Sequence, residues 1–154
     1  MVYAVVRVRG IINIKPYIKK TLQLLRLTRV NHCVLLEESK ITKGMLQVIK
    51  DYATWGEASE ATVSKLLIDK GRLQGDHPLT DDHVKAATSY DTIKALAKGI
   101  TADKVHYRDI PDIKPLFRLH PPIKGFEGVK RSFTNGGALG YRGKDINDLL
   151  ERML

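Results

Sequence analysis

The chain has 154 residues, of which 43% are hydrophobic and 28% charged, and it carries a net charge of +9. This length suits one domain, or a compact core with an elaboration. The single cysteine, Cys33, excludes an internal disulfide and a zinc knuckle and is typical of a reducing compartment. The N-terminal apolar run is too short for a signal peptide, and no apolar stretch reaches the roughly 20 residues of a membrane span. We therefore expect a cytoplasmic protein.

The first 58 residues predict alternating strands and helices. Val2–Val8 has the Val-rich composition of a strand, and Pro16 suits the first turn of a helix. Residues 31–37 predict a second strand, Thr42 is a candidate N-cap for a second helix, and residues 54–57 predict a short third strand. Such a β-α-β-α-β unit can bury one sheet face under two helices, which is enough for a small independent core.

The middle of the chain predicts helices. Ser59 is the candidate N-cap of a helix that ends at Gly71. Thr80 begins another, and Asp91 begins a third that ends at Gly99.

The last third of the chain is rich in proline and glycine until its final residues. Prolines interrupt residues 108–125, where only Leu116–Leu119 predicts a strand. The chain then ends on an apolar stripe with helical spacing, formed by Ile146, Leu149, Leu150 and Met153. We expect this stripe to dock on the rest of the protein.

The sequence offers no catalytic or metal-binding pattern. His32 and Cys33 are neighbours in a predicted strand, so their side chains point to opposite faces and cannot form a nucleophile–base pair. His77 and His83 lack the spacing of a helical metal pair. The glycines at 136–140 lack the Lys-Ser/Thr of a phosphate-binding loop, so a tight turn is the simpler interpretation. We expect no enzymatic activity, no metal and no cofactor.

Positive charge is concentrated at both ends of the chain. Residues 7–50 contain ten Lys or Arg against two acids, and residues 118–144 contain six against one. This pattern favours two surfaces that converge on one polyanion, although a solubilising surplus of charge is an alternative. The candidate nucleic-acid-binding residues are Lys15, Lys19, Arg26, Arg29, Lys43, Arg118, His120, Lys124, Lys130, Arg131 and Arg142.

Aromatic residues lie between the C-terminal cations. Phe126, Phe133 or Tyr141 could stack on an unpaired base; the alternative is that these rings pin the C-terminal segment to the core. Tyr3 and Trp55 are assigned to the core or its rim.

Several motifs resemble one family across nearly the whole chain. They are Val5–Gly10 followed by Pro16, Leu22–Leu27 and Asn31-His32; Asp51–Gly56; Lys70-Gly71-Arg72; Leu79-Thr80-Asp81; Phe117–Pro122; and Gly136-Gly137 through Ile146-Asn147 to Arg152-Met153. In this order they resemble the large-subunit ribosomal protein thirty family, in its archaeal and eukaryotic branch, whose eukaryotic member is ribosomal protein seven. Eukaryotic members carry a long basic N-terminal extension that this chain lacks, so we expect an archaeal member.

The resemblance implies an α+β fold related to the ferredoxin-like folds, with a small three-stranded, mostly antiparallel sheet and two helices in residues 1–58. Residues 59–154 would form an extension packed as one unit with that core. It implies large-subunit rRNA as partner (23S, near the 5S rRNA), together with neighbouring ribosomal proteins, and no membrane or small-molecule substrate. One alternative is a ferredoxin-like ligand-sensing or other regulatory RNA-binding module. Another, an enzyme acting on nucleic acid, would need converging acids or a metal site.

Overall fold

The computed structural model describes all 154 residues as a six-stranded sheet with six α-helices. The strands are β1 (Val2–Arg7), β2 (His32–Glu37), β3 (Ala53–Glu57), β4 (Phe117–Arg118), β5 (Gly128–Ser132) and β6 (Gly137–Tyr141). The helices are α1 (Pro16–Leu24), α2 (Lys40–Ile49), α3 (Glu60–Lys70), α4 (Asp81–Ala87), α5 (Ile93–Thr101) and α6 (Ile146–Glu151). No helix has both the length and the apolar character needed to span a membrane.

The sheet has the order β4-β2-β1-β3-β6-β5. Its centre is antiparallel: Val5 of β1 lies opposite Val34 of β2 on one side and Trp55 of β3 on the other. The α+β class is confirmed, but the prediction of a three-stranded sheet is wrong. Strand β4 adds to β2 in the antiparallel direction, and β6 adds to β3 in the parallel direction. Strand β4 lies within the predicted Leu116–Leu119 strand, whereas β5 and β6 are rich in charge or glycine and carry no alternating apolar pattern that would reveal them in the sequence.

Both faces of the central strand are buried. Tyr3 and Val5 pack with the apolar side chains of α1 and α2 in a cluster of 11 buried residues. The alternate residues Val2, Ala4 and Val6 pack on the opposite face in a cluster of 23 buried residues, to which α3, α5 and α6 contribute. The larger part of the core therefore lies on the side that residues after position 58 cover.

Helix boundaries follow the side-chain caps. Ser59 and Thr80 cap α3 and α4 as predicted, each accepting a hydrogen bond from the third residue after it. The prediction that Thr42 is the N-cap of α2 is wrong. Ser39 is the N-cap, and its hydroxyl accepts a hydrogen bond from the Thr42 N–H.

The helix predicted to run from Asp91 to Gly99 is shifted toward the C-terminus. Thr92 is the N-cap of α5, and the helix continues through Gly99 to Thr101. Gly99 faces Tyr90, whose hydroxyl would lie 2.4 Å from a β-carbon at that position. Its glycine therefore serves close packing inside a helix rather than helix termination.

The C-terminal stripe docks as predicted. Ile146, Leu149, Leu150 and Met153 are all buried in the larger core cluster. Asn147 fixes the same helix to the turn between β3 and α3: its amide donates to the Glu57 carbonyl at 3.0 Å and accepts from the Ser59 N–H at 2.8 Å. The C-terminal end of the basic segment 118–144 is thus held against the core by α6.

Candidate nucleic-acid interface

The N-terminal candidate cations surround the start and end of α1. Lys15 is its N-cap residue and Lys19 lies within it, while Arg26 and Arg29 lie in the turn that leads to β2. All four are exposed, since the apolar side of α1 is turned toward the sheet through Ile18 and Leu22. The helix therefore presents cations on the side away from the core.

Lys43 is exposed but already paired. Its ammonium lies 2.7 Å from the Glu38 carboxylate, which also accepts a hydrogen bond from the Tyr3 hydroxyl. The contact with Lys43, followed by that with Tyr3, lowers the pKa of the Glu38 carboxyl. Lys43 would have to exchange this carboxylate for a phosphate to contact RNA.

The C-terminal candidates, apart from Arg142, are also exposed. Arg118 lies in β4, and Lys130 and Arg131 lie in the edge strand β5. His120 and Lys124 are exposed in the connection between these strands.

Arg118 forms an ion pair with Asp76, a residue that the sequence analysis does not predict as part of the site. Its guanidinium lies 3.2 Å from Asp76, which also binds the Lys114 ammonium. The hydrogen bond from Lys114, with a further one from Arg118, lowers the pKa of the Asp76 carboxyl.

Arg142 is the exception among the candidate residues, because its side chain is 2% exposed. Its guanidinium donates to the Thr54 hydroxyl at 2.9 Å and to the Ala138 carbonyl at 3.0 Å, and it lies 3.6 Å from Glu127. Burial lowers its pKa. The structure therefore corrects the prediction for Arg142: its contacts join β3, β6 and the loop before β5 rather than reaching RNA.

The glycine-rich segment forms a short turn followed by strand β6. Gly136 has φ +71° and ends a short turn, after which Gly137 begins β6. A β-carbon on Gly137 would lie 2.1 Å from the Arg131 carbonyl oxygen, so β5 and β6 approach closely only because no side chain intervenes. Strand packing explains Gly137, and the turn before β6 explains Gly136, in keeping with the predicted tight turn.

The aromatic residues of this region have different environments. Phe126 packs against the buried clusters. The Arg142 guanidinium lies over the ring of Phe133, with its Cζ 4.8 Å from the ring centroid. Tyr141 is 52% exposed, and its hydroxyl donates to Glu57 at 2.6 Å, which raises the pKa of Tyr141 to about 12. Tyr3 and Trp55 are buried, as predicted.

The structure brings cations from the two basic regions of the sequence together in one notch. Arg29, from the turn after α1, and Arg118, from β4, line the same concavity with Thr28 and the buried His32. Burial, followed by the charges of Arg118 and Arg29, lowers the pKa of His32. The sequence could not reveal this notch, because it depends on β2 pairing with β4.

Two features have catalytic or metal-binding potential, a buried thiol and an exposed cluster. Cys33 is fully buried, and burial raises the pKa of its thiol to about 12, so it remains protonated in the core. Glu37, Asp103 and His106 have ligand atoms within 4.8 Å of one another, but all three are exposed. Exposed acidic groups are commonly arranged in this way without an ion.

Comparison with known proteins bears on the whole chain. The family model described as ribosomal protein L30p/L7e matches residues 3–53, which span β1 to the start of β3. A protein of Methanosphaera stadtmanae named large ribosomal subunit protein uL30 is 49% identical over 152 residues, covering 99% of both chains. The chain belongs to this family.

Two further members extend the similarity. The uL30 protein of Methanocorpusculum labreanum is 47% identical over 98% of this chain and 99% of its own length, and that of Thermoplasma volcanium is 47% identical over 98% and 92%. Because these matches are full-length, family membership includes the extension after residue 58 as well as the segment matched by the family model.

Proposed function

We propose that this chain is a structural, non-enzymatic constituent of the large ribosomal subunit that binds rRNA and supports translation in the cytoplasm. The observation that carries this function is the full-length similarity to proteins named large ribosomal subunit protein uL30. The exposed cations on α1, β4 and β5 supply the physical means, since they can neutralise RNA phosphates and release counterions.

Recognition would rest on shape and backbone contacts. A-form RNA hides its base edges in a deep, narrow major groove, so proteins reach its phosphates and 2′-hydroxyls more easily than its sequence. The notch that joins Arg29 and Arg118 supports a shared cationic surface beside α1, while Lys130 and Arg131 lie in β5 at the opposite edge of the sheet. The proposed contact residues are the predicted ones without Arg142: Lys15, Lys19, Arg26, Arg29, Lys43, Arg118, His120, Lys124, Lys130 and Arg131. The proposed RNA partner is 23S rRNA near the 5S rRNA.

Sedimentation tests the assignment to the large subunit. The tagged chain should travel stoichiometrically with large subunits through a high-salt sucrose gradient. Recovery at the top of the gradient, with subunits lacking the chain, would contradict the proposal and favour a free ligand-sensing or regulatory module.

The salt dependence of RNA binding tests the surface. The double variant Arg29→Ala with Arg118→Ala should lower the slope of log affinity against log salt by about two units, one for each phosphate that is no longer neutralised. Lys65→Ala is the matched control, because Lys65 pairs with Glu151 between α3 and α6, outside the proposed surface. Equal slopes for the double variant and the control would remove the notch from the interface.

A further inference from the structure

A groove of about 520 Å³ follows the outer edge of β2, and we call it the β2-edge groove. Its floor is formed by Val34–Glu37 of that strand. One wall contains Leu24 and Ile41 from the ends of α1 and α2, and the opposite wall contains Ile100 and Tyr107. Most of its lining residues are hydrophobic, and Leu24 and Ile41 are 63% and 77% exposed.

The groove contains an unpaired strand edge. Pairing between β2 and β4 ends at Cys33, opposite Phe117. Two residues further along, Leu35 would face Pro115, which has no backbone N–H to donate. In an antiparallel ladder, successive residues direct their backbone N–H and C=O to opposite sides of the strand. The Glu38 N–H donates to the Met1 carbonyl, on the side of β1. The N–H and C=O of Leu35 and Glu37 therefore point to the opposite edge, into the groove. No backbone hydrogen bond outside the regular elements involves Leu35 or Glu37.

A buried polar group also borders this space. Tyr107 lines the groove and is 3% exposed, yet its hydroxyl has no hydrogen-bond partner. A buried hydroxyl without a partner costs free energy that a polar ligand group can recover.

The charge of the groove suits a polypeptide better than RNA. Its lining contains Arg26, which is also a proposed RNA contact, and Arg108 against Glu37 and Asp109, so these four charges cancel within the groove, whereas the whole chain carries +9. His106 reaches the Glu37 carboxylate at 3.3 Å. The carboxylates would repel phosphates, while an apolar, uncharged segment matches both the walls and the neutral floor.

The groove is also unsuited to a second copy of this chain. Its free edge covers four residues, roughly 13 Å at about 3.3 Å per residue, whereas a stable dimer buries about 800 Å² on each partner. The other edge strand of the chain, β5, has Lys130 and Arg131 in its sequence and cannot supply an apolar insert.

We propose that the β2-edge groove binds an extended, mainly apolar segment of a neighbouring large-subunit protein, which adds as a strand to β2. The segment exchanges backbone hydrogen bonds with Leu35 and Glu37 and places alternate side chains against the two walls. This inference rests on the proposed function, because the large subunit supplies the neighbour.

Hydrogen exchange resolved to single residues provides the first test. In the free chain the Leu35 and Glu37 amides should exchange quickly, while those of Val34 and Leu36 are protected by β1. In purified large subunits containing the chain, exchange at Leu35 and Glu37 should slow by about tenfold or more. Unchanged exchange at both amides in the subunit would overturn the inference.

A photo-crosslinking residue at position 41 identifies what covers the groove. The expected product joins this chain to an extended segment of one large-subunit protein, mapped by mass spectrometry. A nuclease-sensitive product with RNA, a product with a second copy, or no product would each overturn the inference. Position 123 is the matched control, because Ile123 is 69% exposed and lies outside the groove.

A charge introduced at the rim adds a functional comparison. Ile41→Lys should restore fast exchange at Leu35 and Glu37 within the subunit, and Ile123→Lys should not. Subunits that contain no copy of the unmodified chain would contradict the proposed function itself. Subunits that contain the chain with a freely exchanging edge would contradict this inference alone.

Discussion

Arg131 and Arg142 show how burial divides residues of the same type into different roles. Arg131 is exposed in β5, where its cation is available to a phosphate. Arg142 follows β6, and its guanidinium is bonded to Thr54 and Ala138 inside the protein. The two arginines therefore differ in what their removal should cost.

Replacing Arg142 should destabilise the fold. Arg142→Ala removes the donor to the Ala138 carbonyl and the Thr54 hydroxyl, while Glu127 keeps Arg152 as a partner. Leaving buried polar groups without their partner costs about 1–3 kcal/mol of unfolding free energy. Urea denaturation measures this change. Arg131→Ala is the control: its stability should change by less than about 0.5 kcal/mol, while its RNA-binding salt slope falls by about one unit. Equal stability of the two variants would contradict the structural role of Arg142.

The ion pairs of Asp76 predict a loss of stability in acid. Lys114 and Arg118 lower the pKa of the Asp76 carboxyl in the folded chain, so its contribution is present above the ordinary carboxyl pKa. That contribution is lost as the pH falls below about 4 and through the folded-state pKa. Asp76→Asn should therefore flatten the decline of the urea midpoint between about pH 5 and pH 2. Asp69→Asn, at an exposed acid without an ion pair, should leave the decline unchanged.

At the scale of elements, the Trp55-Gly56 motif has a packing explanation. A β-carbon at Gly56 would lie 1.8 Å from the Gly143 carbonyl oxygen, in the turn before α6. Trp55 faces the cluster beneath α1 and α2. Strand β3 thus accepts a large side chain at one position and a close backbone approach at the next.

Two glycine substitutions should have opposite signs. Gly56→Ala forces β3 away from the turn before α6 and should destabilise the protein by about 1–3 kcal/mol. Gly44 lies in α2, where a β-carbon would have no atom within 4 Å, so Gly44→Ala should stabilise the protein by about 0.5–1 kcal/mol through helix propensity. Thermal unfolding of both variants checks the pair. Destabilisation by Gly44→Ala would show that α2 has a packing constraint at this position.

At the scale of the whole molecule, the sheet needs cover on both faces. Residues 1–58 supply α1 and α2 for one face only. The other face presents Val2, Ala4 and Val6 to helices that come later in the chain. The predicted core, residues 1–58, therefore covers only one face of its own sheet, and the predicted extension covers the other.

We predict that the fragment 1–58 does not fold alone. Its exposed apolar face should make it aggregate or remain without fixed tertiary structure, since a single covered face buries too little apolar area to offset the chain entropy. Near-ultraviolet circular dichroism, which reports the packing of Trp55, and urea unfolding test this. A cooperative transition in the fragment would establish residues 1–58 as an independent core.

The sequence by itself determined the local elements whose signals are local. The first three strands, α1, the caps Ser59 and Thr80, and the terminal apolar stripe all depend on residue spacing and side-chain hydrogen bonds between near neighbours. Its motifs also indicated the family, which the full-length relatives confirm.

Only the tertiary structure decided the features that join distant segments. The six-stranded sheet depends on the pairing of β4 with β2 and of β6 with β3, which the spacing of residues within each strand does not specify. The burial of Arg142, the notch of Arg29 with Arg118, and the open edge of β2 at Pro115 follow from that pairing. The sequence shows how many cations the chain has, but strand pairing across the sheet determines which of them face solvent, because burial depends on residues far away in the sequence.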